Sequence, residues 1–230
     1  MSQTYRPDDH AERKEGIDAS DAYMARSDAD ATIVAVQKNV LATPQAGWIA
    51  ALLAYEACVT AAKTARLNAE AADTSFGRAV RCFSASVRDA LGHAEPQEVA
   101  GLFGILPSKL VQCTRRDEVQ YASTLLARLP GRTDLSYDAS WADALSTCTA
   151  ALQTATLADE DARRTLHGAG ADLRAATAAF DTAYMKVIHA AKSLLSASEV
   201  ASIFPRFQRR SKAKSTTATP DTGSSPASTS

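Results

Sequence analysis

The sequence predicts an all-α fold, an antiparallel helical bundle built from two duplicated long helical hairpins with disordered termini. Three observations predict it. A short phrase occurs twice, as Glu98-Val-Ala-Gly-Leu-Phe103 and Glu199-Val-Ala-Ser-Ile-Phe204. Each copy follows one of the two tryptophans, and each tryptophan opens a similar run, Trp48-Ile-Ala-Ala-Leu52 and Trp141-Ala-Asp-Ala-Leu145. The distance from tryptophan to phenylalanine is 103 − 48 = 55 residues in one copy and 204 − 141 = 63 in the other. The difference of 8 is close to two turns of helix at about 3.6 residues per turn. An insertion of that length extends a helix while keeping its buried face, whereas in a strand it would add a long overhang.

The expected organisation is a disordered segment over 1–20, a helical bundle over 21–207 and a disordered tail over 208–230. Within the bundle, repeat one spans 44–104, a linker helix 105–138, and repeat two 139–204. Residues 1–20 are polar and charged without periodicity. Ser27 followed by Asp30 has the capping-box pattern, and Ile33, Val36 and Val40 then share a helical face. Thr43-Pro44 predicts a helix start, with a capping hydroxyl and proline in the first turn. The helical pattern from Pro44 reaches about Ala72, and Asp73-Thr-Ser75 reads either as a turn or as a continuation of the helix. Phe76, Val80, Phe83 and Val87 recur at steps of 4, 3 and 4. Gly92 suits a C-cap and Pro96 a new start, so a short helix should carry Glu98 to Phe103.

In the connecting segment, Thr114 and Asp117 form another capping box, and Val119, Ala122, Leu126 and Leu129 make a stripe that Pro130-Gly131 ends. Ser140 with Asp143 is expected to cap the next helix, whose face continues through Leu145, Cys148 and Leu152. Farther along, Leu166, Leu173, Phe180, Val187 and Leu194 recur every seven residues. Ala169, Ala176, Ala183 and Ala190 lie three residues after the first four of these. A strict heptad implies left-handed supercoiling against a neighbour, and alanine at the second seam position permits close approach. Such a seam serves either inside the bundle, which three other amphipathic segments in need of partners favour, or as a dimerisation face.

Composition excludes several classes. A formal net charge of −1 argues against a chain that is basic overall and binds nucleic acid or membrane through its whole surface. Cys58, Cys82, Cys113 and Cys148 show neither C-x-x-C nor zinc-ligand spacing to histidine, which predicts buried free thiols and a reducing compartment. The N-terminus has no apolar core of a secretory signal, and the most apolar stretch, Trp48 to Ala62, is too short to span a bilayer and contains Glu56. A cytoplasmic protein is expected.

The phrase Val99–Gly104, with Ser108 soon after, resembles the end-of-repeat phrase of uncharacterised bacterial proteins built from two long-helix repeats. The resemblance covers residues 40–207. The second copy departs from it, with Pro205 where the first has Gly104. It implies the fold and no activity.

Candidate chemistry is sparse. Di-iron bundles need Glu-x-x-His pairs, but Ala90, Arg164 and Lys186 stand three residues before His93, His167 and His189. No nucleophile elbow, phosphate-binding glycine loop or Cys/His catalytic spacing occurs. No cofactor, metal site or small-molecule substrate is expected. His189-Ala-Ala-Lys192-Ser193 resembles the phosphoacceptor phrase of histidine phosphotransfer domains. The resemblance makes His189 the acceptor, Lys192 the charge partner and Ser193 the small residue. Ala191 and Leu194 depart from that phrase, and the plain alternative is a surface histidine beside the seam. The basic run Arg206, Arg209, Arg210, Lys212 and Lys214 has three readings: a solubilising end, a docking peptide, or a weak contact to nucleic acid or anionic lipid with Phe204 and Phe207 as apolar partners. Beyond it the tail is rich in Ser, Thr and Pro. The leading expectation is a non-catalytic scaffold or adaptor that binds a protein partner or itself.

Overall fold

A computed structural model describes residues 3–4, 9–92, 96–132 and 137–208. Among the described residues the regular structure is helical apart from one ladder of two-residue strands. In order it forms β1 (Gln3–Thr4), α1 (His10–Met24), α2 (Ala31–Val36), α3 (Ala42–Ala90), α4 (Pro96–Phe103), α5 (Pro107–Leu110), α6 (Arg115–Arg128), α7 (Ala139–Leu194), α8 (Ala197–Ile203) and β2 (Phe207–Gln208). β1 and β2 pair antiparallel, Gln3 opposite Gln208 and Thr4 opposite Phe207. Among the described residues no helix is long and apolar enough to cross a membrane. The chain divides into two compact units, Ala46–Ala178 and the flanking segments through Gln45 and from Ala179.

The Ala46–Ala178 unit holds most of α3, the first part of α7, and α4 to α6. Its core gathers Phe76, Val80, Phe83 and Val87 of α3, Phe103 of α4, Leu110 of α5, Ala122 and Leu125 of α6, and Leu145 and Leu152 of α7. Asp73-Thr-Ser75 is helical, so α3 runs unbroken through the possible turn. It carries a heptad of its own: Trp48, Tyr55, Ala62, Ala69, Phe76 and Phe83 fall seven apart and are buried or half-buried. In α7 the matching line is Leu145, Leu152, Asp159, Leu166 and Leu173, followed three residues later by Cys148, Ala155, Ala162, Ala169 and Ala176. From residue 49 to 68 nothing in α3 is fully buried, because alanine-lined seams bring little side-chain area to cover. The two tryptophans differ in environment: Trp48 is 2% exposed and Trp141 38%. All four cysteines are free and half-buried.

The flanking unit holds α1, α2, the end of α7, α8 and the β pair. Tyr184 is its centre. Its ring stacks on Phe180 at 5.6 Å and meets the edge of Phe204 at 6.2 Å, and Phe204 also contacts Tyr23 at 6.5 Å. The α7 seam stays buried or half-buried through Ala190 and ends at Leu194, which is half exposed where the helix stops.

Several sequence expectations are corrected. Residues 10–20 are not disordered, because α1 begins at His10 with Asp9 capping the Glu12 amide. Its buried face, Arg13, Gly16, Ile17, Ser20 and Tyr23, has helical spacing but little hydrophobicity, and its polar members are satisfied by distant partners. Arg13 pairs with Asp181, and Ser20 accepts from Gln37 Nε2 at 2.8 Å. The cap before Ile33 is Asp30, which accepts from the Thr32 and Ile33 amides, rather than Ser27. The helix does not start at Thr43-Pro44. It continues from α2 through a wide π turn over Gln37–Leu41 into α3. Proline clashes with the carbonyl four residues back in a regular helix, and the wider turn just upstream, with the Ala42 amide donating to the Gln37 carbonyl, accommodates it. Asp138 caps the start of α7 by accepting from the Ser140 amide, in place of Ser140 itself. Among its described residues the 105–138 connection holds α5, α6 and a 3-10 turn over Leu129–Gly131 rather than one linker helix. Thr114, Gly92 with φ +71°, Pro96 and Pro130-Gly131 act as expected.

Candidate functional site

The first turn of α6 assembles an ionic cluster around one buried carboxylate, Asp159. Thr114 caps the helix, with Oγ1 accepting from the Asp117 amide. That leaves Arg115 reaching Asp73 of α3 (3.5 Å) and Asp159 of α7 (3.8 Å). Asp159 occupies a heptad core position, is 4% exposed, and is gripped by Arg163 at 3.1 and 2.6 Å. Arg116 binds Glu160 at 2.8 and 2.6 Å on the open side and holds that carboxylate below its usual range.

Glu118, one turn on, is 2% exposed, and among the described residues its Oε2 has no hydrogen-bond partner. Burial pushes its carboxyl up to about 7; the charge of Asp73 and a hydrogen bond with it add to the rise, against the pull of Arg115. A carboxyl that titrates near neutrality has the proton affinity of a general acid or base. Glu118 has no surface through which a substrate could reach it, so its chemistry is proton binding inside the fold. Neither Glu118 nor Asp159 was singled out from sequence. The available signal was an acid on an apolar period: Glu118, Ala122, Leu125 and Leu129 step by 4, 3 and 4, and Asp159 falls in a line of leucines seven apart.

A second feature is open. The C-terminal half of α3 and the α5 segment enclose a groove of about 740 Å³. Leu106, Val111 and Gln112 line one wall, and Arg81, Arg88 and Asp89 line the other. Among the described residues neither Arg81 nor Arg88 enters an ion pair.

The sequence-derived candidates belong to the flanking unit, whereas both of these features belong to the Ala46–Ala178 unit. His189 and Lys192 are exposed on one face of α7, while Ile188 and Ala191 are buried on the other. The Ser193 hydroxyl donates to the Ala190 carbonyl at 2.7 Å. Arg206 is exposed; Arg209, Arg210, Lys212 and Lys214, with the tail, lie outside the described residues. Phe204 and Phe207 are 0% and 4% exposed, so the rings offered to a ligand are used in the core instead. Among the described residues no group of three or more His, Cys, Asp or Glu side chains could hold a metal ion.

The two aromatic locks share one spacing. Phe83 meets Phe103 edge-on at 5.8 Å and Tyr184 meets Phe204 edge-on at 6.2 Å, and 103 − 83 and 204 − 184 both give 20. Arg88 and His189 each follow the first ring of their pair by five residues and are both exposed. The chain matches no protein-family model, and no curated protein and no solved structure matches it.

Proposed function

We propose that this chain is a non-catalytic interaction protein, a scaffold or adaptor, built as an antiparallel bundle of two duplicated hairpins. The equal spacing of the two aromatic locks supports the duplication. Two contacts support the antiparallel course. The Asp138 amide donates to Ser86 Oγ, and a Cβ at Gly170 would lie 3.6 Å from the Tyr55 ring, so a step of 31 residues back along α3 accompanies one of 32 forward along α7.

The observation that carries the functional reading is a contrast. Arg13 and Asp159 are buried and each is matched within the fold, Arg13 by Asp181 and Asp159 by Arg163. Among the described residues, Arg81 and Arg88 on the groove wall enter no ion pair. A surface that keeps unpaired guanidiniums beside apolar side chains suits a partner that brings acids. Thermal unfolding against a panel of nucleotides, divalent cations and sugar phosphates tests the reading. No saturable shift is expected, and one of several degrees would make this a small-molecule protein instead. Light scattering on the full chain and on residues 1–204 then separates self-association from binding to other proteins.

A second reading rests on the shared exposure of His189 and Lys192. A phosphorylated response-regulator donor should then label the wild type and leave His189→Ala unlabelled; an unlabelled wild type sinks it. A third reading, weak nucleic-acid or anionic-surface binding through Arg206 to Lys214, requires salt-sensitive binding that disappears when the tail is removed.

A further inference from the structure

We propose that the groove between α3 and the α5 segment binds a short acidic peptide segment of a protein partner, with two carboxylates four residues apart bracketing an apolar side chain on the same face. The inference rests on the interaction-protein reading and names where and what the chain binds. Arg81 and Arg88 are seven residues apart on one helix, so their Cα atoms are separated by about 10.5 Å along its axis. In an extended peptide side chains two and four residues apart share a face, so carboxylates four residues apart lie about 13.6 Å apart with one side chain between them, and the difference of about 3 Å is within the reach of two long arginine side chains. Each guanidinium presents a planar fork that a carboxylate can meet with two parallel hydrogen bonds. Leu106 and Val111 on the facing wall supply the apolar surface for the side chain between the acids.

Three features favour a peptide over a nucleic acid. The wall opposite the arginines is largely apolar. Asp89 brings a carboxylate into the same groove, which repels a continuous polyanion more than two discrete acids. The net charge of −1 gives no long-range attraction for phosphate backbones. At about 740 Å³ the groove is in the size range of ligand clefts, about 300–1,000 Å³.

The test is fluorescence anisotropy at 0.15 M salt with the labelled hexapeptide Glu-Glu-Leu-Leu-Glu-Glu, its Gln-Gln-Leu-Leu-Gln-Gln counterpart, and a labelled oligouridylate. The acidic peptide should bind the full-length protein at least tenfold more tightly than the neutral one. Arg81→Glu and Arg88→Glu should each abolish that preference. Lys63→Glu makes the same charge change about 27 Å away along α3. That distance exceeds the screening length of about 8 Å at this salt, so Lys63→Glu should leave binding unchanged. Equal binding of the two peptides, an equal loss with Lys63→Glu, or tighter binding of the oligouridylate that Arg81→Glu removes would each overturn the proposal. If no probe binds while light scattering reports a stable dimer, only the groove assignment fails and the interaction reading stands.

Discussion

The Arg13 guanidinium grips the Asp181 carboxylate with two hydrogen bonds of 2.8 Å across 168 residues of sequence. Both side chains are less than a tenth exposed. The pair ties α1 to the end of α7, where Phe180 and Tyr184 build the aromatic centre of the flanking unit. Removing one partner leaves the other charge buried and uncompensated, a loss of about 3–5 kcal/mol. Arg13→Met and Asp181→Leu should therefore each lower the urea midpoint strongly, and the double variant should recover most of the loss. Additive losses in the double-mutant cycle would show that the pair does not act as a unit.

Gly16 lies under the Tyr184 ring, and a Cβ there would sit 3.0 Å from Cζ and Oη. Alanine gains about 1 kcal/mol over glycine in a helix interior. The ring cannot yield easily between Phe180 and Phe204, and overpacking costs about 1–3 kcal/mol. Gly16→Ala should lower the melting temperature. Gly101→Ala in α4, where nothing lies within 4 Å, should raise it by the propensity gain. Calorimetry on both variants checks the pair of signs.

Glu118 makes stability depend on pH. Its carboxyl titrates near 7 in the folded chain and near 4.5 unfolded. Between those values the folded state binds the more protons, so stability falls as pH rises through that window and levels off above it. The neighbouring Asp73 is 40% exposed, which screens the penalty to roughly 2 kcal/mol above pH 7. Glu118→Gln, neutral throughout and still able to donate to Asp73, should match the wild type near pH 4.5 and exceed it by that amount at pH 8. Urea titrations at four pH values measure this; parallel curves would rule out the raised carboxyl.

Ala69 is fully buried on the α3 seam. Ala69→Leu has no room to enter without displacing a neighbouring helix, and should cost about 1–3 kcal/mol. Ala61→Leu, on the exposed face of the same helix, should change stability by less than about 0.5 kcal/mol. Comparable losses at the two positions would mean that the seam is not closely packed.

Fold class was legible because long helices write their packing as period: the α7 heptad from Leu166 to Val187 is visible as spacing alone and is buried or half-buried in the structure. Gly92, Pro96 and Thr114 were legible for the same local reason, since turns and caps depend on residues within a few positions. The α1 helix was not legible, because Arg13 and Ser20 become core residues only when Asp181 and Gln37 arrive to satisfy them. The neutral-pH carboxyl of Glu118 likewise depends on its burial in the fold and on Asp73, 45 residues away in sequence. The groove pairs Arg81 and Arg88 with Leu106 and Val111, residues 18 or more positions apart that no local signal brings together. The sequence by itself determined the long helices, their seams and the ends at Gly92, Pro96, Thr114 and Pro130-Gly131, which short-range sterics and hydrogen bonds control. Tertiary structure alone decided which charges are buried and neutralised and which face an open groove, because desolvation and ion pairing act between residues that only folding brings together.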